Sequence, residues 1–422
     1  MKLLALPRTW SGMATRTLVP FAVLLSFGCG RTQLYQPLQM PPAITAPAAS
    51  FTGPCPTAPP STPVQLDHSP SGEPRWVHVG TWLDGVAELY STSDSSSTQW
   101  FVQRFDADGQ PKGDAIWVRG EHGNLWPGSV FAHDEPNGSL LLAWISQGTL
   151  VVAEVDASGG FSTLATGPAH GADDIELVRL GSAVLLAIFD GDGLYTRVVQ
   201  PDGTLTVSNL VENRASLPAG TDWRSPVTIA PISDQEAWLA HSERAGEPTT
   251  IHRFDSNGEL LDGPIKPGGT VMTMVRCLGT NEVGVTMDVD PVDQWQNDTH
   301  REQFGRLSQS GAWTTHELRS IANPYGVSAS RALIACSQQR SAEAWPAPGS
   351  ALTGTDNGDD LDFTAVGAST HFSLQSITHP EPHSYVDLQG AAMADCSATF
   401  TWEVDLGNDA EARLMMLRAP LE

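Results

Sequence analysis

Lysine is nearly missing from this chain. Of 422 residues only Lys2, Lys112 and Lys266 are lysine, and Lys and Arg together number 23 against 48 Asp and Glu, a formal charge of −25. Phosphate backbones are gripped by clustered cations, so this balance excludes nucleic acid as a partner and repels anionic lipid headgroups. Cysteine is scarce, at five residues, and none form a C-x-x-C pair, so there is no signature of a zinc site or of dithiol redox chemistry. G-x-S-x-G, H-E-x-x-H and the Gly-rich phosphate loop are absent. No apolar run approaches the roughly twenty residues that a membrane-spanning helix needs. Charged residues make up only 17% and apolar residues 40%, a composition that can fill a core rather than one that stays disordered.

What is present is a repeat. FVQRFDADG (Phe101 to Gly109), VVAEVDASG (Val151 to Gly159), YTRVVQPDG (Tyr195 to Gly203), TIHRFDSNG (Thr250 to Gly258) and QFGRLSQSG (Gln303 to Gly311) recur roughly every fifty residues. Four residues before the glycine stands an apolar side chain in all five: Phe105, Val155, Val199, Phe254 and Leu307. Five before it stand Arg104, Glu154, Val198, Arg253 and Arg306, mostly charged. This is an amphipathic strand entering a tight turn whose glycine supplies a positive φ.

A more hydrophobic strand precedes each copy: GVAELY (Gly85 to Tyr90), SLLLAWI (Ser139 to Ile145), AVLLAIF (Ala183 to Phe189), EAWLAH (Glu236 to His241) and EVGVTM (Glu282 to Met287). Continuous apolar runs suit strands covered on both faces. RALIACS (Arg331 to Ser337) and ATFTWEV (Ala398 to Val404) keep the same beat. The expectation is an all-β fold, a β-propeller of seven four-stranded blades, with six as the rival count. After ATFTWEV only ARLMMLRA (Ala412 to Ala419) remains, so the last blade lacks a fourth strand. TPVQLDH (Thr62 to His68), just ahead of the first inner strand RWVHVG (Arg75 to Gly80), is expected to supply it and to cover that edge.

The N-terminus reads as an address. Lys2, Arg8 and Arg16 precede the apolar stretch Leu18 to Phe27, and Cys29 follows Gly28. LLSFGCG resembles a bacterial lipoprotein signal, which implies lipidation of Cys29, and Gly30 in the next place implies the outer membrane. Gly30 to Pro74 holds eleven prolines and reads as a semi-rigid tether. The expected division is 1–28 signal peptide, 29–61 lipidated Cys29 and Pro-rich tether, and 62–422 propeller. With Cys29 lipidated, Cys55, Cys277, Cys336 and Cys396 allow three disulfide pairings. The signal, tether and repeat together resemble bacterial envelope lipoproteins carrying a β-propeller. That resemblance implies a non-catalytic binding or scaffold module in the cell envelope, held to the membrane by a lipid anchor only.

Two connections after second strands are long: Asp288 to His300 and Gln338 to Asp360. Each is acidic and carries a tryptophan, Trp295 and Trp345, suited to stacking a sugar or meeting a basic segment. Trp295, Trp345, Asp288, Asp290, Asp293, Asp298, Asp356, Asp359 and Asp360 are therefore the candidate partner-binding residues, for an envelope protein or a glycan. No cofactor is expected, although Asp288, Asp290, Asp293 and Asp298 are carboxylates of the kind calcium takes, as are Asp356, Asp359, Asp360 and Asp362. SDSSSTQW (Ser93 to Trp100) is similar to the Asp-box turn of sialidases but lacks its glycine, and reads as a Ser-rich hairpin loop. His379 and His383 in HPEPH are a weak metal pair. No catalytic residues stand out. The alternatives to the binding reading are a secreted propeller hydrolase or lyase acting on glycans, and a structural surface protein without a specific ligand.

Overall fold

The alternating and continuous apolar runs become strands wherever both faces can be covered. The computed structural model describes residues 64–420 except 67–72, 83–84, 94–96, 107, 123–129, 135–137, 170–173, 191–192, 214–226, 242–248, 278, 290–298, 323–332, 337–339, 347–360, 368–370, 378–383, 393–396 and 406–412. Val64–Gln65 is β1. The first sheet is Glu73–Trp82, Gly85–Ser93, Ser97–Phe105 and Ile116–His122 (β2–β5). The second is Val130–Asp134, Leu140–Ser146, Thr149–Val155 and Phe161–Pro168 (β6–β9). The third is Asp174–Leu180, Ala183–Asp190, Gly193–Val199 and Asn209–Asn213 (β10–β13). The fourth is Val227–Pro231, Glu236–His241, Thr250–Asp255 and Leu260–Ile265 (β14–β17). The fifth is Thr270–Arg276, Glu282–Asp288, Thr299–Ser308 and Trp313–Ala322 (β18–β21). The sixth is Leu333–Cys336, Arg340–Pro346, Leu361–Gly367 and His371–Ile377 (β22–β25). Ser384–Ala392, Ser397–Asp405 and Arg413–Pro420 (β26–β28) form the last sheet, whose fourth strand is β1, with Val64 opposite Met416.

All of these sheets are antiparallel and four-stranded. The first strand of each touches the first strand of the next, from β2 through β6, β10, β14, β18, β22 and β26, and β26 touches β2. That is the arrangement of a β-propeller. The core lies between successive sheets. Leu140, Leu142 and Trp144 of β7 pack with Trp82, Leu89 and Trp100 of the first sheet, while Leu141 and Ala143 pack with Leu177 and Leu186 of the third. The second strands β3, β7, β11 and β15 are therefore apolar on both faces, which explains their unbroken hydrophobic runs. Between the last sheet and the first, Leu66 and Met416 meet Val86, Tyr90 and Phe105. Cys277, after β18, is bonded to Cys336 at the end of β22, and both are buried. Cys55 and Cys396 lie outside the described residues.

The repeated turn is a stitch between sheets. Gly109, Gly159, Gly203, Gly258 and Gly311 all have φ between 75° and 92°. Each donates its N–H to the carbonyl three residues back, as Gly159 does to Asp156 at 2.8 Å. This is a type I turn closed by a left-handed glycine. In the second sheet's turn, Asp156 Oδ1 also accepts from the N–H groups of Ser158 and Gly160, both at 2.8 Å. Each turn sits against the preceding sheet: Gly159 lies beside the Arg104 guanidinium and Gly258 beside Val198.

Three expectations are corrected. RALIACS does not hold a second strand: Leu333–Cys336 is the first strand of its sheet and Arg340–Pro346 the second. Inner strands are also covered by their neighbours, so an apolar run alone does not separate the two positions. Trp345 consequently lies within β23, opposite Asp362 of β24, and not in a loop. SDSSSTQW is not all loop, since Ser97 to Trp100 begin β4 and Trp100 is fully buried.

Candidate functional site

Of the residues singled out from sequence, Asp288 ends β19, opposite Thr270 and Glu302, and Trp345 pairs within β23. Cys29, Trp295, Asp290, Asp293, Asp298, Asp356, Asp359, Asp360, His379 and His383 lie outside the described residues. Among the described residues no group of three or more His, Cys, Asp or Glu is placed to hold a metal ion.

The strand register brings a different set together. In the first five sheets the apolar residue four before the turn glycine pairs with Val86, Leu140, Val184, Ala237 and Val283 of the second strands. Three residues further along those strands stand Leu89, Ala143, Ala187, Ala240 and Thr286. Their partners on the first strands are His78, Phe131, Glu176, Thr228 and Thr273. These five occupy one level on five successive inner strands, and all five are half-buried. Their second-strand partners are each at most 1% exposed. Paired residues share a face, and Leu89, Ala143, Ala187 and Ala240 lie in the cores between each sheet and the next, so His78, Phe131, Glu176 and Thr228 stand on the innermost edge of those cores, facing the following sheet. Two steps along β6 stands His133, also half-buried.

The ring is polar and mixed in kind. His78, His133 and Glu176 are titratable and come from three consecutive sheets. Thr228 and Thr273 offer hydroxyls, and Phe131 is the large apolar member. Thr228 Oγ1 accepts from the Met274 N–H of the next inner strand at 3.3 Å, which fixes its rotamer. Phe131 packs against the core between the second and third sheets, which anchors its ring.

On the side of the repeated turns the charges are already matched. Arg179 at the end of β10 pairs with Glu154 at 2.9 Å, and Arg276 at the end of β18 faces Asp234 at 3.8 Å. A cavity of about 680 Å³ opens there, lined by Arg253, Thr280, Asn281, Glu282, Ser308, Gln309 and Ser310. Its polar groups hold one another. Arg253 bonds to Asp262 and to the carbonyl of Gln309, Gln309 Nε2 donates to Glu236 at 3.1 Å, and Asn281 Nδ2 donates to Gln309 Oε1 at 3.3 Å. This groove is a junction between sheets rather than a receptive site. Burial sets the remaining electrostatics. Arg119, over the Trp144 ring at 5.4 Å, is pushed down to about 10 by desolvation. Tyr90 is pushed up to about 12 by desolvation and by the charge of Glu88 two residues away.

Most of the inner strands do not stand out in the sequence because polar residues interrupt their apolar runs. Only RWVHVG, which carries His78, stands out. The others are found by stepping back from each second strand through a short hairpin connection, which leads to FAHD, IELVRL, VTIAP and TVMTMVR.

No protein-family profile matches the sequence, and comparison with curated proteins finds no relative. Among solved structures the chain is similar to an ulvan lyase of a polysaccharide lyase family, at 9% identity and TM-score 0.49, over 81% of this chain and 94% of that one. An uncharacterized protein of Listeria monocytogenes is similar at 10% identity and TM-score 0.43, over 79% and 94%. Puromycin hydrolase is similar at 15% identity and TM-score 0.45; the likeness covers 79% of this chain but spans only 51% of the hydrolase. These are distant likenesses, and no activity is carried across from them.

Proposed function

We propose that the chain is a lipid-anchored β-propeller of seven four-stranded blades that binds a component of the bacterial cell envelope at its axis, without catalysis. In this reading residues 1–28 are the export signal, Cys29 carries the lipid, 29–61 is the tether to the outer membrane, and β1 closes the last blade. The observation that carries the binding site is the level of five half-buried side chains on successive inner strands, each backed by a buried partner. A mixed polar and apolar concave lining is what a ligand site offers. The Cys277–Cys336 bond supports export, because such bonds persist in oxidising compartments. The acidic loop residues, with Trp295, are proposed as further contacts for an envelope protein or glycan.

The test is photocrosslinking in intact envelopes. A photoreactive side chain at position 176 is expected to capture an envelope component, and one at position 117, on the outer edge, is not. Equal capture from both positions, or none from 176, would sink the axial reading.

A second reading is favoured by one observation: His78, His133 and Glu176 stand on three consecutive inner strands. An imidazole and a carboxylate near one opening are the groups that general acid–base cleavage of a glycan uses. Release of new reducing ends or unsaturated sugars from polysaccharide, lost in Glu176→Gln, would establish this reading in place of the first.

A further inference from the structure

We infer that Cys55 and Cys396 form a second disulfide, which locks the N-terminal segment to the sheet that it completes. Such a bond goes beyond the binding reading above and is independent of the axial ring. Of the five cysteines, Cys277 and Cys336 are bonded to each other, and Cys29 is the proposed lipid site. One pair is left. Both of its members lie outside the described residues, but the strands that follow them in the chain are placed. Cys396 directly precedes Ser397, the first residue of β27, which pairs with Pro420 of β28. Val64 opens β1, nine residues after Cys55.

Register sets the direction. Val64 stands opposite Met416 and Gln65 opposite Met415, and Met416 stands opposite Thr401. Followed backward from Val64, the chain heads toward the Pro420 end of β28, which is the end where Ser397 begins β27. Had β1 run the other way, Cys55 would leave from the opposite end of the sheet. From Val64 to Ser397 is four residue steps along the sheet and two strand spacings across it, a distance of about 17 Å. A nine-residue stretch of extended, proline-rich chain reaches about 28 Å. This one holds Pro56, Pro59, Pro60 and Pro63, which also limit the chain freedom that closure must remove.

The chemistry is thiol–disulfide exchange with an oxidised dithiol carrier of the compartment that receives the chain. One thiolate attacks the carrier's disulfide, and the second attacks the resulting mixed disulfide. The carrier leaves as its dithiol, having taken up two electrons and two protons. The Cys277–Cys336 bond needs the same oxidising surroundings. The new bond would reinforce a short seam, since β1 contributes only two residue pairs to its sheet. In the lipid-anchored reading it also passes any pull on the tether to the nine residues of β27 rather than to the two of β1.

The test is peptide mapping of the full chain purified from the compartment to which it is exported. Free thiols are blocked with iodoacetamide, the protein is digested without reductant, and linked peptides are read by mass spectrometry. The Cys55 and Cys396 peptides should be recovered joined to each other, with Cys277–Cys336 as the internal control. Cys55→Ser should turn Cys396 into an alkylatable thiol, leave Cys277–Cys336 intact and lower the unfolding midpoint by about 5 °C. Recovery of Cys55 and Cys396 as alkylated thiols in the wild-type protein, or of either one joined to Cys29 or to a second chain, would overturn the assignment. The wild-type map decides this even where the variant does not fold. A free Cys55 together with continued capture at position 176 would remove the bond and leave the axial reading standing.

Discussion

Arg104 of the first sheet donates through Nη1 to the carbonyl of Ala157, in the turn of the second sheet, at 3.4 Å. The same guanidinium lies 4.9 Å from the centre of the Trp82 ring. Arg253 repeats this: it bonds to the carbonyl of Gln309 in the next sheet's turn and lies 5.7 Å over Trp238. The charged place five residues before the turn glycine therefore ties one sheet to the next. Arg104→Ala should destabilise by about 2 kcal/mol, the sum of a cation–π contact and a charge-assisted hydrogen bond. Arg104→Lys should recover only part of this, because an ammonium lacks the planar fork. Denaturant unfolding measures both; a loss under about 0.5 kcal/mol for the alanine variant would mean that the stitch is ornamental.

Two glycines separate close approach from backbone strain. A Cβ on Gly85 would sit 2.0 Å from the carbonyl oxygen of Phe105, a backbone atom that cannot step aside. A Cβ on Gly148, at φ +76°, would meet nothing within 4 Å. Gly148→Ala should cost about 1 kcal/mol for the left-handed backbone alone. Gly85→Ala should cost about 3 kcal/mol or lose the fold, since the β3–β4 pairing must shift. Comparable unfolding midpoints for the two variants would contradict this.

Asp156 gives a pH dependence with a defined sign. Its carboxylate is held below the ordinary range, chiefly by the Ser158 hydroxyl and then by the Gly160 N–H. Its stabilisation is therefore present above the unfolded aspartate value of about 3.9 and is lost as pH falls through the lower folded value. Wild type should exceed Asp156→Asn in unfolding midpoint at pH 7, and the gap should close on acidification. A gap that persists at pH 2 would contradict the charge-based account of this turn.

Tyr90 reports on the junction between the last sheet and the first. Desolvation and Glu88 push its phenol up to about 12. With the folded value raised above the unfolded value of about 10, its contribution is complete below pH 10 and is lost as pH climbs toward 12. In an absorbance titration of the five tyrosines one should ionise last, near 12, and Tyr90→Phe should remove that step. A wild-type titration in which all five ionise together near 10 would show that this junction is open to water.

The parts of the fold that were legible in the sequence are those where one chemical demand recurs. The turn glycines need a positive φ, and the residue four before each must fill an inter-sheet core, so DADG, DASG and DSNG mark themselves. GVAELY, SLLLAWI and AVLLAIF show because both faces are covered. Leu333–Cys336 misled for the same reason, since an inner strand is covered as well. The axial ring was not legible. His78, Phe131, Glu176, Thr228 and Thr273 share no residue type and no motif, and only pairing with Leu89, Ala143, Ala187, Ala240 and Thr286 brings them to one level.

That pairing also offers the most direct test. Thr273 on β18 is half-buried, while its partner Thr286 on β19 is fully buried. Each is changed to cysteine in turn, the folded protein is treated with a water-soluble maleimide, and the labelled site is read by peptide mapping. An open, ligand-facing ring predicts rapid labelling at position 273 and none at 286 without denaturant. Equal protection of both positions would mean that the inner strands close on themselves, and the axial site would be contradicted.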